Sequence, residues 1–381
     1  MRSRTRILWS FTLALSLVLA ACGGDTADTT TAPETTEPTG TTADPGTDTT
    51  KPSDTTEPMG DAAPVALIIA QGGLGDQAYN DLANEGLQLA GENLGVEVQP
   101  VEAEDIVAEG EQVVRRAAES GFGLIIDLEF SHNEFFPVVA AEYPDANFAF
   151  VNLPIEGDNI LSIVFREHEG SFLAGALAAM MTSHTDNEKI NEDKIIGAIG
   201  GVKSAGIDKF IVGFIQGAQY IDPEVEVLVT YIDDFGDPSK GQAAASAMYD
   251  QGSDIVYQIA GGAGLGVFEA AEAANHYAIG VDTDQDFLKP GHILTSMVKR
   301  VDLGVEETVT QYVDGTFEGG SILDLGLAVG GVGLTEFEHT RGEIPDEFVT
   351  QIDEIRQMII DGEIEIWNVI EQGYPDFFSE S

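Results

Sequence analysis

The sequence predicts an α/β protein with two Rossmann-like lobes and a ligand cleft between them. Beyond Pro64, short apolar runs alternate with amphipathic segments of helical period, which is the pattern of β-α-β units. The alternation runs to about residue 165 and starts again near residue 194, so two lobes of similar plan are expected. The length of 381 residues agrees with two domains, because one domain usually has about 100–200 residues.

The first lobe is predicted from apolar runs and the helical segments that follow them. The predicted strands are 65–70, 96–101, 124–128, 148–152 and 160–165. The predicted helices are 79–94, 106–119, 133–143 and a Gly/Ala-rich helix at 170–181.

The second lobe repeats this order. Its predicted strands are 194–200, 225–231, 255–260, 277–281 and 293–298, and its predicted helices are 208–220, 238–251 and 267–275. Ligands of open α/β sheets bind beyond the carboxyl ends of the strands. We therefore expect one cleft to be lined by the loops at 72–80, 129–133, 235–238, 261–266 and 282–285.

Charge and motif content exclude several classes of function. The chain has 17 Lys and Arg against 66 Asp and Glu, a net charge of −49, which repels a phosphate backbone and excludes nucleic acid as the main partner. The glycines at 261–266 have neither dinucleotide spacing nor a Walker A lysine, and the six histidines show no metal spacing. A calcium loop starting at Asp282 would need glycine where Phe287 stands and glutamate where Ile293 stands. We expect no enzyme activity, cofactor or metal.

The amino-terminal segment predicts export and lipidation. Arg2, Arg4 and Arg6 precede an apolar run that ends at Ala21 and is shorter than a spanning helix, which is typical of a signal peptide at 1–21. The Leu-Ala-Ala-Cys that ends at Cys22 resembles the lipobox of bacterial lipoproteins, whose cysteine thiol receives diacylglycerol. We expect a lipid-anchored protein on the extracytoplasmic face of the cell membrane. The alternative is an uncleaved anchor with a buried cysteine.

Residues 22–62, which begin with the cysteine that we expect to be lipidated, form a segment rich in Thr, Pro and acidic residues with almost nothing to bury. Such a composition predicts a disordered linker, because it cannot offset the entropy cost of folding. We expect it to act as a spacer between the membrane and a bilobal domain at 63–381.

Five segments resemble, in order, the motifs of the basic membrane protein (BMP, PnrA-like) family. They are GLGDQAYN (73–80), FREHEGSFLAG (165–175), AGGAGLGVF (260–268), GVDTDQ (280–285) and TSMVK (295–299). Members are lipoproteins that serve as substrate-binding components of ABC importers, with purine nucleosides as their best-known ligands. The resemblance implies an ABC permease as partner. It also implies the type I periplasmic-binding-protein fold, in which the chain crosses between the lobes three times.

The crossings implied by the resemblance place the hinge near Glu167, Arg300 and Leu325. Lobe 1 would then contain about 63–166 and 299–325, and lobe 2 about 167–298 and 326–381.

Two aromatic residues from opposite lobes are candidates for stacking on a purine. Tyr79 lies at a predicted helix start and Phe235 in a loop, both directed at the cleft, and a stacked ring pair contributes ~0.5–1.5 kcal/mol beyond area burial. The alternative is that each ring packs under its own loop. The family usually carries Ser-Phe-Asn where this chain has Ala78-Tyr79-Asn80, so a hydroxyl contact at position 78 is lost.

Polar residues at the ends of two strands are candidates for holding a sugar. Asp282 and Asp284 offer carboxylates to vicinal hydroxyls, and the resemblance implies that Lys299 joins them; the alternative is an ordinary surface lysine. The remaining predicted ligand-binding residues lie in the motifs quoted above and are Asp76, Asn80, Gly262 and Gly264. The two glycines are expected to let backbone amides come close to the ligand. Toward the base edge, the family often offers a polar group near Glu129, Asn133 and Glu134.

The function predicted from the sequence is a membrane-tethered receptor that closes its lobes over a nucleoside-like ligand and passes it to a permease. Two alternatives belong to other classes. One is a ligand-sensing partner of a surface signalling protein, and the other is an extracellular nucleoside-processing enzyme.

Overall fold

The computed structural model describes residues 62–378, which form two lobes on separate six-stranded sheets. The predicted signal peptide, Cys22 and nearly all of the linker lie outside the described residues. Across residues 62–378, no helix combines the length and apolar character that a bilayer crossing requires.

Lobe 1 is built on a fully parallel sheet. Its strands are β1 (Val65–Ile68), β2 (Val98–Val101), β3 (Leu124–Asp127), β4 (Asn147–Val151), β5 (Ile160–Phe165) and β11 (Ile322–Leu325), in the spatial order β11-β5-β4-β3-β1-β2. Its helices are α1 (Tyr79–Leu94), α2 (Ile106–Glu119), α3 (Phe136–Glu142) and α8 (Val301–Val313). All four residues of β1 are buried, as expected for a central strand with cover on both faces.

Lobe 2 is built on a second sheet that has one antiparallel edge. Its strands are β6 (Ile195–Gly200), β7 (Glu226–Tyr231), β8 (Ser253–Ile259), β9 (Tyr277–Asp282), β10 (Ile293–Lys299) and β12 (Val332–Leu334), in the order β12-β10-β9-β8-β6-β7. Only β12 runs antiparallel to its neighbour. The helices of this lobe are α4 (Glu167–Thr182), α5 (Ala205–Ile221), α6 (Pro238–Asp250), α7 (Leu265–Ala274), α9 (Asp346–Ile360) and α10 (Val369–Gln372).

The chain passes between the two sheets three times within the described residues. It leaves the first sheet after β5, returns to it from β10 through α8, and leaves it again between β11 and β12. The predicted α/β class and two-lobed plan are confirmed. The segment after residue 300, for which the apolar pattern predicted no elements, supplies α8, β11, β12, α9 and α10.

The predicted helix at 133–143 is divided in the structure. A 3-10 turn covers Phe130–Glu134, and α3 begins only at Phe136. The turn starts because the Glu129 carboxylate accepts hydrogen bonds from the Ser131 amide and hydroxyl. Pro137 favours a new helix start, since proline fits the first turn but not a helix interior.

Helices α4 and α5 pack with their backbones in unusually close approach. A Cβ atom at Gly175 would lie 2.0 Å from the Phe214 carbonyl oxygen, and one at Gly217 would lie 2.0 Å from the Phe172 carbonyl oxygen. Every residue of α4 is buried. The Gly/Ala-rich sequence of this helix is therefore a packing requirement, because any side chain at these positions would push two backbones apart.

We predict that Gly175→Ala lowers the free energy of unfolding by ~1–3 kcal/mol, the usual cost of overpacking, because the obstructing atom belongs to the backbone. Chemical denaturation measures the effect. Gly342→Ala is the control, since a Cβ atom there meets nothing within 4 Å and its stability should change by less than ~0.5 kcal/mol. Equal stability of the two variants would contradict the close-packing interpretation.

Candidate functional site: the cleft between the lobes

A cavity lies between the lobes, at the carboxyl ends of their parallel strands. Its space, including the part open to solvent, is about 760 Å³, which is in the range of ~300–1,000 Å³ for small-molecule sites. The lining residues are Ala70, Gln71, Asp76, Tyr79, Asn80, Leu128, Glu129, Phe130, Asn152, Leu153, Glu167, Ser204, Gly206, Ile207, Lys209, Phe210, Phe235, Ile259, Gly261, Asp282 and Lys299.

Asp76 and Asn80 fix the loop that precedes α1. The Asp76 carboxylate accepts hydrogen bonds from the backbone amides of Ala78, Asn80 and Asp81, at 3.0, 2.9 and 3.1 Å. The Asn80 side chain accepts from the Ala70 amide at 3.0 Å and donates to the Gln71 carbonyl oxygen at 3.2 Å. Burial raises the pKa of Asp76, although these backbone amides oppose the shift. Both residues line the cavity, and their polar atoms hold its wall in place.

Tyr79 and Phe235 line the cavity from opposite lobes. The Tyr79 hydroxyl donates to the Leu128 carbonyl oxygen at 3.1 Å and accepts from the Asn152 Nδ2 at 2.9 Å, so the residues after the carboxyl ends of β3 and β4 anchor its ring. Phe235 is half-buried in the loop between β7 and α6. Its carbonyl oxygen accepts a hydrogen bond from the Ala263 amide at 2.9 Å, which ties that loop to the next one in lobe 2.

Lys299 is a buried residue at the end of β10 and not a surface lysine. Its Nζ donates to the Asn152 Oδ1 at 2.5 Å and lies 2.9 Å from the Glu167 Oε1. The same ammonium lies 4.9 Å from the centre of the Tyr79 ring, within the range of a cation–π interaction. Lys299 therefore connects the hinge to the aromatic wall of the cavity.

Glu167 is shared by two buried lysines. Its second carboxylate oxygen lies 2.5 Å from the Lys209 Nζ, which also donates to the Phe165 carbonyl oxygen at 3.0 Å. Burial alone raises the pKa of this carboxyl, but the nearby ammonium groups of Lys209 and Lys299 outweigh burial and lower it below its usual value. Glu167 thus stays ionised at the bottom of the cleft.

Asp282 ends β9 in a left-handed backbone conformation with φ of 67°, which Asp tolerates better than most residues. Burial raises the pKa of this carboxyl to about 7; Lys299 lowers it, whereas Asp76 and Glu167 raise it further. Near neutral pH the Asp282 carboxyl group is therefore partly protonated, whereas Glu167 is ionised. Within residues 62–378, no group of three or more His, Cys, Asp or Glu side chains is placed to hold a metal ion.

Three of the predicted ligand-binding residues do not line the cavity. A Cβ atom at Gly262 would lie 3.5 Å from the Asp76 Cα across the cleft, and one at Gly264 would lie 1.9 Å from the Gln258 side chain. Asp284 is exposed and accepts a hydrogen bond from the Asp286 amide at 3.0 Å. The structure therefore gives these residues contacts within the protein.

Of the three residues expected near the base edge, only one lines the cavity. Glu129 lines the cavity, with its carboxylate accepting from the Gln71 amide at 3.0 Å, whereas Asn133 and Glu134 are not among the lining residues.

The sequence interpretation did not single out Asn152 and Lys209 as cleft residues, and it placed Glu167 only at the hinge. Each residue had a signal in the sequence that could have identified it. Asn152 is a polar residue at the end of a predicted strand, and Lys209 is a cation in a largely apolar helix. Their roles emerge only when β4, α4 and α5 are brought together at the hinge.

Comparison with known proteins gives a consistent result. The family described as ABC transporter substrate-binding protein PnrA-like matches residues 63–368. A CD4+ T-cell-stimulating antigen of Listeria innocua is 33% identical over 325 residues, which cover 79% of this chain and 87% of the relative. The ABC transporter nucleoside-binding protein BmpA of Lactococcus lactis is 32% identical over 326 residues, covering 79% and 88%.

Among solved structures, an ABC transporter system solute-binding protein from Aeropyrum pernix K1 superimposes with a TM-score of 0.74 at 30% identity, covering 80% of this chain and 93% of the other. The type I periplasmic-binding-protein fold expected from the resemblance is confirmed. The family and this structural neighbour are substrate-binding proteins rather than enzymes. The chain belongs to the PnrA-like family of ABC transporter substrate-binding proteins.

Proposed function

We propose that this chain is a lipid-anchored, extracytoplasmic substrate-binding protein that closes over a purine-nucleoside-like ligand and delivers it to an ABC permease. The observation that carries the proposal is one cavity that is lined by aromatic residues from opposite lobes and by Asp282 and Lys299, whose charges interact. The name of the Lactococcus lactis relative, a nucleoside-binding protein, supports the ligand class. The lipobox at Cys22 supports the anchor.

In this proposal the base stacks between Tyr79 and Phe235, and the sugar hydroxyls donate to the Asp282 carboxylate. Lys299 donates to a sugar oxygen from the same side. Because the two walls belong to different lobes, the ligand makes its full set of contacts only when the lobes are closed, and it shifts the open–closed equilibrium by that difference in affinity. The sensing-receptor and enzyme alternatives gain no specific support from the described residues of the cleft.

We predict that inosine, guanosine or adenosine raises the melting temperature of the protein, because a ligand at 100 times its Kd stabilises the folded state by ~2.7 kcal/mol. Free ribose lacks the base and should act far more weakly. A thermal-shift panel measures this. If no nucleoside acts while another class of solute does, the proposed ligand class is wrong and the family assignment stands.

We predict that Lys299→Met weakens nucleoside binding about ten- to a hundredfold, because it removes a charged donor from a dry site while keeping much of the side-chain volume. The free energy of unfolding should fall as well, since Glu167 keeps only Lys209 as a cation. Isothermal titration calorimetry measures affinity. Lys194→Met, at a partly exposed ion pair with Asp222, is the matched control and should bind normally. Equal affinities in both variants would remove Lys299 from the site.

We predict that adenosine affinity rises with pH through about pH 7. The sugar hydroxyls require an ionised Asp282 as acceptor, whereas burial keeps this carboxyl protonated below its pKa of about 7 in the unliganded cleft. Binding therefore releases a proton, and the affinity should fall by up to about tenfold per pH unit below that value. Asp282→Asn should bind weakly at every pH. A wild-type profile as flat as that of the variant would contradict the assigned role.

A further inference from the structure

We infer that Gln285 is a positioning residue that stabilises the closed form of the protein through a hydrogen bond across the cleft that involves no ligand. The inference rests on the proposed lobe closure and extends it. Gln285 follows β9 in lobe 2, is fully buried, and is not among the residues that line the cavity. Its Nε2 donates to the Gln77 carbonyl oxygen of lobe 1 at 3.0 Å.

A chain of hydrogen bonds fixes which end of the Gln285 amide faces lobe 1. The Ala260 backbone amide donates to the Gln258 Oε1 at 3.1 Å, so the Gln258 Nε2 must donate to the Gln285 Oε1, at 2.8 Å. The Val281 backbone amide donates to the same Oε1 at 2.9 Å. Because a backbone N–H only donates, both oxygen positions are determined, and the Gln285 NH₂ group is aimed at the opposite lobe.

The acceptor in lobe 1, the Gln77 carbonyl oxygen, is also held in place by hydrogen bonds of its loop. Gln77 has a φ of 50°, and its amide donates to the Asp81 Oδ2 at 2.9 Å. The preceding residue, Asp76, caps α1 through three backbone amides. The Gln77 carbonyl group is therefore fixed relative to the first turn of α1, where Tyr79 faces the cavity.

This geometry gives Gln285 a role that differs from that of a ligand-binding residue. When the lobes separate, the bond between the Gln285 Nε2 and the Gln77 carbonyl oxygen must break, and water replaces both partners. The bond thus favours closure whatever occupies the cavity, and it should strengthen the binding of every ligand by the same factor. A net contribution of one such hydrogen bond corresponds to about three- to tenfold in affinity.

Gln285→Glu tests the inference selectively. The carboxylate keeps both acceptor interactions inside lobe 2, with Gln258 and Val281, but presents an oxygen instead of a donor to the Gln77 carbonyl group. At pH 8 we expect the affinities for inosine, guanosine and adenosine to fall by one common factor of about tenfold relative to wild type. As the pH falls, the ratio of variant to wild-type affinity should recover, because a protonated carboxyl group donates again. Gln251→Glu is the matched control, since its exposed amide bonds only within the end of α6.

Spin labels test closure without any ligand. In the full chain with Cys22→Ser, labels at Leu89→Cys in lobe 1 and Ser246→Cys in lobe 2 occupy exposed helix positions. Gln285→Glu should shift the label distance distribution from that of wild type, and Gln251→Glu should not. An unchanged distribution, or affinity losses that differ between ligands, would overturn the inference. If wild type binds no nucleoside, the proposed ligand class fails, while the label distances still decide the role of Gln285.

Discussion

The structure depends on one buried carboxylate, Glu167, shared by two lysines at the hinge. Lys209 reaches it from α5 and Lys299 from the end of β10, and Lys299 continues to Asn152 at the end of β4. A buried charge is tolerated only when it is paired and hydrogen-bonded, so these elements are held in one arrangement. The two lobes and the segments that connect them therefore meet at the ligand cavity.

Around this cluster, several polar side chains that line the cavity form hydrogen bonds with the protein backbone. Asp76 and Asn80 bind the backbone of their own loop, and Glu129 binds the amide of Gln71. These bonds fix the aromatic wall in advance, so a ligand does not bear the cost of ordering it. Asp282 is the exception, since burial raises its pKa to about 7 and leaves its charge dependent on what enters the cleft.

The regular elements were the most predictable part of the molecule. The buried parallel strand β1 is an uninterrupted apolar run, β3 is one up to Asp127, and helices such as α1 and α2 show their period directly. The strands after residue 300 were missed because β11 and β12 are short edge strands, and three of the four residues of β11 are not fully buried. The break between the turn at Phe130–Glu134 and α3 depends on the Glu129 cap, which the helical period does not reveal.

Local periodicity and ordered motifs were enough to predict the α/β class, the two-lobed plan, the family and five of the loops that meet at the cleft, although not the loop after β4 or the start of α5. The three-dimensional packing of the chain decided which residues of those loops line the cavity. Tyr79, Phe235, Asp282 and Lys299 do, whereas Gly264 and Asp284 contact the protein itself. It also decided that Lys299 is buried against Glu167 and that Gln285 reaches lobe 1. Side-chain direction, burial and contacts between distant segments are properties of the packed chain, and no local pattern encodes them.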